Sequence, residues 1–219
     1  SDPGGRIAFL SGRFLKTVYK EATLIGDINT PEVFVINMEE VDCFTFLDYI
    51  EAMRRSNSFI EFRKNLKKVR YQSAMIAYEN RNHFFTDWLE FNPGMVEDVT
   101  EKISSGKSLK AVKRLNRKSD GTYFLPGVSV KEREVAYIPS DAVDDAVIEN
   151  LSTGDYIGMY SKIEGLDVSH AGIIIREQDT VKLRHASSLR KNRKVIDEDL
   201  AEYLKAKPGI VVLRPIRDV

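Results

Sequence analysis

Val41-Asp42-Cys43-Phe44-Thr45-Phe46-Leu47-Asp48-Tyr49-Ile50 carries the one cysteine of the chain and reads as the start of a helix. Asp42 is a good N-cap, because its carboxylate can accept hydrogen bonds from the free N–H groups of a first turn. Beyond it, Cys43, Phe46, Leu47, Ile50 and Met53 recur at helical spacing and make one apolar stripe. Cys43 is therefore expected in the first turn of a buried helix, where the dipole and the unpaired N–H groups favour a thiolate. Glu39, Glu40 and Asp42 oppose this, so a nearby cation is needed. The same residue also reads as a small hydrophobe on an apolar helix face. The remainder of the chain must decide between the two.

At 219 residues the chain is long enough to bury a substantial core, and it is read as one domain over 1–219. Hydrophobic residues make up 42% and charged residues 30%, an ordinary globular composition. A formal net charge of +0 gives no argument for nucleic acid or an acidic membrane surface. A single cysteine excludes an internal disulfide. No apolar run approaches the length of a membrane span. The opening Ser1-Asp2-Pro3-Gly4-Gly5 reads as a mature or truncated start.

Ile7, Leu10 and Phe14 suggest a first helix, followed by a polar loop from Lys20 to Glu32 and a strand-like Val33–Ile36. Ser56 or Asn57 can cap a helix whose inner side is Phe59, Phe62, Leu66 and Val69. The basic stretch from Lys102 to Lys118 reads as a solvated loop. Asp87 and Trp88 follow two phenylalanines; the cluster reads as core first and as a cleft wall second. The C-terminal half then turns to strands: Arg133–Ile138, Tyr156–Tyr160, Val168–Arg176, Thr180–Ala186 and Ile210–Leu213. Helices are expected after Asp141 and from Asp197 to Lys205. Helices early and consecutive strands late predict an α+β fold, with N-terminal helices packed on a C-terminal antiparallel sheet.

Two of the three histidines, His170 and His185, fall on consecutive strands joined by Glu177-Gln178-Asp179. A hairpin centred between Glu177 and Gln178 sets His170 directly opposite His185 on one face. Beside a thiol, one imidazole can take the proton while the other holds the first in the right tautomer. That geometry suits a cysteine hydrolase.

Asp42-Cys43-Phe44-Thr45-Phe46, Gly154-Asp155-Tyr156-Ile157, Ser169-His170-Ala171-Gly172-Ile173 and Arg184-His185-Ala186-Ser187 resemble, in order, the motifs of NlpC-type papain-like cell-wall hydrolases. Leu15-Lys16-Thr17-Val18-Tyr19 is similar to the family's upstream tyrosine motif. His83-Phe84-Phe85-Thr86-Asp87-Trp88 resembles a stretch of the N-acetylmuramoyl-L-alanine amidase-like branch. The resemblance implies Cys43 as nucleophile, His170 as base and His185 as its orienter. Tyr19, Asp42, Asp87 and Trp88 are expected near the substrate. It also implies a peptidoglycan or muropeptide substrate, no cofactor, and a periplasmic or secreted location. Phe44 stands where a small residue is common, and Lys16 and Val18 stand where Gly and Pro are common; these departures bear on the shape of the cleft.

Three alternatives remain at this stage. An NlpC-type endopeptidase would cut within the stem peptide instead. A wall-binding module without catalysis is a second. A metal site built from Cys43, His170 and His185 is a third, though Cys-x-x-Cys and His-Glu-x-x-His spacings are both missing.

Overall fold

The computed structural model describes residues 2–178 and 180–217. Asp179, part of the expected hairpin turn, lies outside them. Seven α-helices appear among the described residues: α1 (Pro3–Gly12), α2 (Cys43–Arg54), α3 (Phe59–Arg70), α4 (Asp87–Phe91), α5 (Thr100–Ile103), α6 (Asp145–Asn150) and α7 (Leu200–Leu204). The strands are β1 (Val18–Tyr19), β2 (Glu40–Val41), β3 (Val96–Asp98), β4 (Leu109–Leu115), β5 (Lys131–Pro139), β6 (Tyr156–Tyr160), β7 (Val168–Glu177), β8 (Thr180–Ser187), β9 (Lys194–Asp199) and β10 (Gly209–Pro215). They form one ten-stranded sheet in the order β2-β1-β9-β8-β7-β6-β10-β5-β4, with β3 also on β10. The pairings are antiparallel except for β1 with β2, so the sheet is mixed.

The strand alternation of the sequence separates two cores. On one side Tyr156, Tyr160, Ala171, Ile173, Ile175 and Val211 pack under α1, α2 and α3. On the other, Ile157, Met159, Ile174, Leu183 and Val212 pack under α5, α6 and α7. A strand covered on both faces loses its polar alternation, and β6 is buried at all five positions. The fold is therefore α+β, with helices on both faces of the sheet rather than an N-terminal helical layer alone.

The stripe on α2 forms as expected. Phe46, Leu47 and Ile50 are fully buried. The helix also carries ionised groups into the core. The Glu51 carboxylate takes bonds from the Arg54 guanidinium at 2.5 and 2.7 Å and from the Tyr156 hydroxyl at 2.8 Å. Asp48 pairs with Arg70 of α3 at 2.9 Å. These partners compensate a burial that would otherwise be expensive.

Several local expectations are corrected. The cap of α3 is Ser58, whose Oγ accepts from Glu61 N–H, and that of α6 is Asp144. Val33–Ile36 forms no strand: its ladder contact is an isolated Val33–Ile25 bridge, and it is held by Phe34 and Ile36 packing on the core and by Arg70 donating to the Val35 carbonyl at 2.6 Å. The basic stretch contains β4, which alternates: Ala111, Lys113 and Leu115 turn inward while Lys110, Val112 and Arg114 turn outward. Lys113 tolerates burial because its ammonium donates to the Ser161 and Ile163 carbonyls and lies over the Tyr160 ring. The expected helix from Asp197 begins only at Leu200; Asp197 to Asp199 belong to β9, and Asp199 caps the helix.

Candidate active site

Cys43 is the first residue of α2, and the local sequence fixes it there. Asp42 Oδ1 accepts from Phe44 N–H at 3.0 Å and Thr45 N–H at 2.7 Å, while Asp42 N–H donates back to Thr45 Oγ1 at 3.0 Å. This closed capping box aims the thiol away from the helix body. Cys43 is half-buried and opens onto a cavity of about 240 Å³. The expected thiolate is not what the surroundings favour. Burial, then the Asp42 carboxylate, push the thiol up to about 12, outweighing the backbone N–H groups of Ala171, Cys43 and Phe44. Desolvation exceeds the helix-terminus effect here.

The imidazoles reach the same place from the opposite face of the sheet. Along β7, Ala171 and Ile173 face the α2 layer, whereas His170 shares a face with Ile174. Two irregularities surround His170. The β6–β7 register shifts between Met159–His170 and Tyr160–Val168, leaving Ser169 as an extra residue. Bulges of this kind re-aim side chains near functional sites. The β7–β8 ladder runs from Glu177–Thr180 only as far as Ile173–Arg184, although both strands continue. The register is thus displaced by two residues from the expected one, because Gln178 (φ 51°) occupies the turn. A two-residue displacement keeps the face, so His170 and His185 are diagonal neighbours rather than opposed ones. Gly172 makes room for this: a Cβ there would meet Leu183 Cδ1 at 2.6 Å and His185 Cβ at 3.0 Å.

His170 Nε2 lies 2.7 Å from His185 Nδ1, and His185 Nε2 lies 2.8 Å from Glu198 Oε2. The carboxylate only accepts, so His185 donates from Nε2 and presents an unprotonated Nδ1. His170 must then donate from its own Nε2. Its Nδ1 is left with a free lone pair, the form a general base needs. Burial, followed by the neighbouring His185 and Lys207, lowers His170 to about 3, so both rings are neutral. Thiol and imidazole share the cavity wall as a neutral pair. No hydrogen bond joins them among the described residues. Such contacts often tighten only when substrate binds.

The other expected residues divide. Tyr19 is buried on β1, with the Arg193 guanidinium over its ring at 4.7 Å. Burial and the nearby Cys43 sulfur raise it to about 12, which keeps its hydroxyl protonated. Lys16, two residues before Val18, has φ 75°, the left-handed region that glycine occupies without strain. Asp42 is committed to the cap. Asp87 and Trp88 do not line the cavity, because both are almost wholly buried. Asp87 binds Arg133 at 2.9 Å and Lys131 at 3.3 Å, and Trp88 supports the Phe44 ring, centroids 5.8 Å apart. Phe44 is consequently a wall of the cavity rather than a plug.

Sequence reasoning missed Glu198 and Tyr203. Tyr203 of α7 packs against both imidazoles, at 5.1 Å from His185 and 6.2 Å from His170. The signal for Glu198 was the run Lys194-Val195-Ile196-Asp197-Glu198, whose β-branched centre fits a strand. A larger groove, about 780 Å³, lies between β5 and α7 and contains none of the expected residues. Among the described residues, no group of three or more His, Cys, Asp or Glu side chains is placed to hold a metal ion. No helix there is long and apolar enough to cross a membrane.

The model of the AmiA-like family, described as N-acetylmuramoyl-L-alanine amidase-like, matches residues 9–210. The fold is similar to that of an N-acetylmuramoyl-L-alanine amidase from Bacteroides uniformis, with a TM-score of 0.80 and 28% identity over 99% of this chain and 100% of that one. It is also similar to a Bacteroides fragilis protein proposed to be a xylanase (TM-score 0.74, 31% identity, 93% and 98% covered). Protein LPG0564 from Legionella pneumophila, at 24% identity over 99% and 90% of the two chains, shares the fold with a TM-score of 0.82. No curated protein matches the sequence.

Proposed function

The chain belongs to the N-acetylmuramoyl-L-alanine amidase-like family of cell-wall hydrolases, and on that premise we propose that it is an NlpC-type, papain-like thiol amidase. Its substrate is a peptidoglycan fragment, and the bond cut joins the muramic acid lactyl group to L-Ala. The observation that carries the reading is the chain Glu198–His185–His170, which leaves an unprotonated Nδ1 on His170, a residue that lines the same cavity as Cys43.

In this mechanism Cys43 attacks the amide carbonyl while His170 Nδ1 removes its proton. Both groups start neutral, so the proton moves during attack rather than from a standing ion pair. The charge that forms on His170 is shared through His185 to Glu198. The N–H of Cys43 and the Tyr19 hydroxyl donate to the developing oxyanion. His170 returns its proton to the leaving amine, and water then hydrolyses the thioester, regenerating the thiol. The reading places the protein where peptidoglycan is, in the periplasm or outside the cell.

Purified protein incubated with defined muropeptides and followed by mass spectrometry tests this. Release of the intact peptide and free sugar supports the amidase. Release of a dipeptide makes it an endopeptidase, and binding without turnover makes it a wall-binding module. A glycosidase, as the Bacteroides fragilis neighbour suggests, needs two carboxylates on either side of the bond. The cavity offers one, Asp167, and its oxygens already accept from Thr86 and from Val168 N–H.

A further inference from the structure

The wall of the Cys43 cavity is mostly apolar: Phe44, Phe84, Phe85, Phe124, Leu125 and Leu166. In such a pocket the few polar atoms decide how a ligand is oriented. Asp167 is occupied as described, and Ser169 Oγ is 3.4 Å from the Met159 carbonyl. That leaves His83. Its Nε2 is 2.8 Å from the Tyr78 carbonyl oxygen, and its ring stands edge-on to the Tyr78 ring at 5.2 Å. A carbonyl only accepts, so Nε2 carries the proton and Nδ1 carries the lone pair. Nδ1 has no protein partner among the described residues. Burial lowers His83 to about 4 against the opposing Tyr78 carbonyl bond, with Arg81 and Lys131 reinforcing the neutral ring and Asp87 opposing them. The result is a hydrogen-bond acceptor of fixed tautomer on a residue that lines a mostly apolar cavity, where Cys43 and His170 are assigned to the reaction.

A ligand that covered Nδ1 without offering a donor would strand this acceptor. We propose that His83 is a substrate-binding residue whose Nδ1 accepts a hydrogen bond from a non-scissile amide N–H beside the bond that Cys43 attacks. The proposal rests on the amidase reading for its substrate but adds a residue that the thiol chemistry does not require. It makes the site selective for substrates that carry an amide there over those that carry an ester or an N-alkyl amide.

The test uses muropeptides in which each non-scissile amide is N-methylated in turn, with wild type, His83→Phe and His83→Gln. On the unmodified substrate, His83→Phe should raise KM about tenfold, the size of one hydrogen bond, with kcat changed by less than about twofold. Glutamine can donate to Tyr78 and accept from substrate, so His83→Gln should recover most of the loss. At one methylated position, wild type should lose the same factor while His83→Phe loses nothing further. Equal sensitivity of wild type and His83→Phe to every methylation overturns the proposal, as does a failure of glutamine to rescue while thermal stability is retained. Binding measured in a Cys43→Ala background separates this from the reaction itself. Binding that depends on His83, in a protein that hydrolyses nothing, removes the amidase and keeps the contact. Hydrolysis that ignores His83 does the reverse.

Discussion

The chains Arg54–Glu51–Tyr156 and Glu198–His185–His170 are both hydrogen-bonded from end to end, the first wholly buried and the second buried only at His185, and they finish differently. In the first, the two carboxylate oxygens, the guanidinium and the phenol all point at one another, and Arg54 donates onward to the Met95 carbonyl. Burial raises both Glu51 and Tyr156, and all three side chains lie almost wholly inside the protein. In the second, His170 Nδ1 has no hydrogen-bond partner among the described residues, and His170 lines the cavity that Cys43 also lines. A closed network holds layers together; an open one keeps a lone pair available for chemistry. The two differ in depth as well as in closure: the first is wholly buried, whereas His170 and Glu198 at the ends of the second are only partly so.

The sharpest way to break this contrast is Cys43→Ala. It should abolish turnover, by about 10³-fold or more, while the urea midpoint stays near wild type. Retained hydrolysis would mean that the open chain serves something else. Glu51→Ala strikes the closed chain and should cost about 3–5 kcal/mol in chemical denaturation, because it strands a buried guanidinium. The surviving folded fraction should keep its kcat. Glu198→Gln sharpens the contrast from the other end. An amide can donate to His185, which permits the wrong tautomer, so kcat should fall about 10²-fold with little loss of stability. An unchanged pH–rate profile together with full activity would remove Glu198 from the chain.

Acid stability tests the two neutral rings, His170 and His83, directly. The folded pKa values of His170 and His83, about 3 and about 4, lie below the ordinary 6.5. The unfolded chain therefore binds protons that the folded one refuses, and stability that is complete above pH 6.5 declines as pH falls toward those values. Urea midpoints between pH 7 and pH 4 should drop, and less steeply in His83→Gln. An identical slope in that variant would mean His83 titrates normally in the folded protein.

The sequence exposed most of what local rules control. Asp42 and the stripe from Cys43 to Met53 predicted α2, and the apolar runs predicted β6, β7 and β8 to within a residue or two. What it concealed depends on distant partners. Lys113 hides the alternation of β4, because its inward position makes sense only with the carbonyls of Ser161 and Ile163 beneath it. Asp197, Glu198 and Asp199 read as the acidic first turn of a helix, and only pairing with β8 draws them into a strand. Glu198 went unseen for that reason. The histidine pairing survived a wrong register because the error was an even number of residues. Asp87 and Trp88 show the converse: an aromatic and a carboxylate that fit a cleft by composition are held inside by Arg133, Lys131 and Phe44.

The sulfur enters from the layer of α2, while the two rings belong to the layer that α7 completes, with the splayed ends of β7 and β8 between them. On the proposed reading, neither layer alone supplies both the thiol and its base. A chain still emerging, or one nicked so that its last helix and strands drift off, carries the thiol without the rings that would take its proton. On the thiol-amidase reading, competence therefore waits on both layers of the folded chain, which makes folding itself the switch for the proposed reaction.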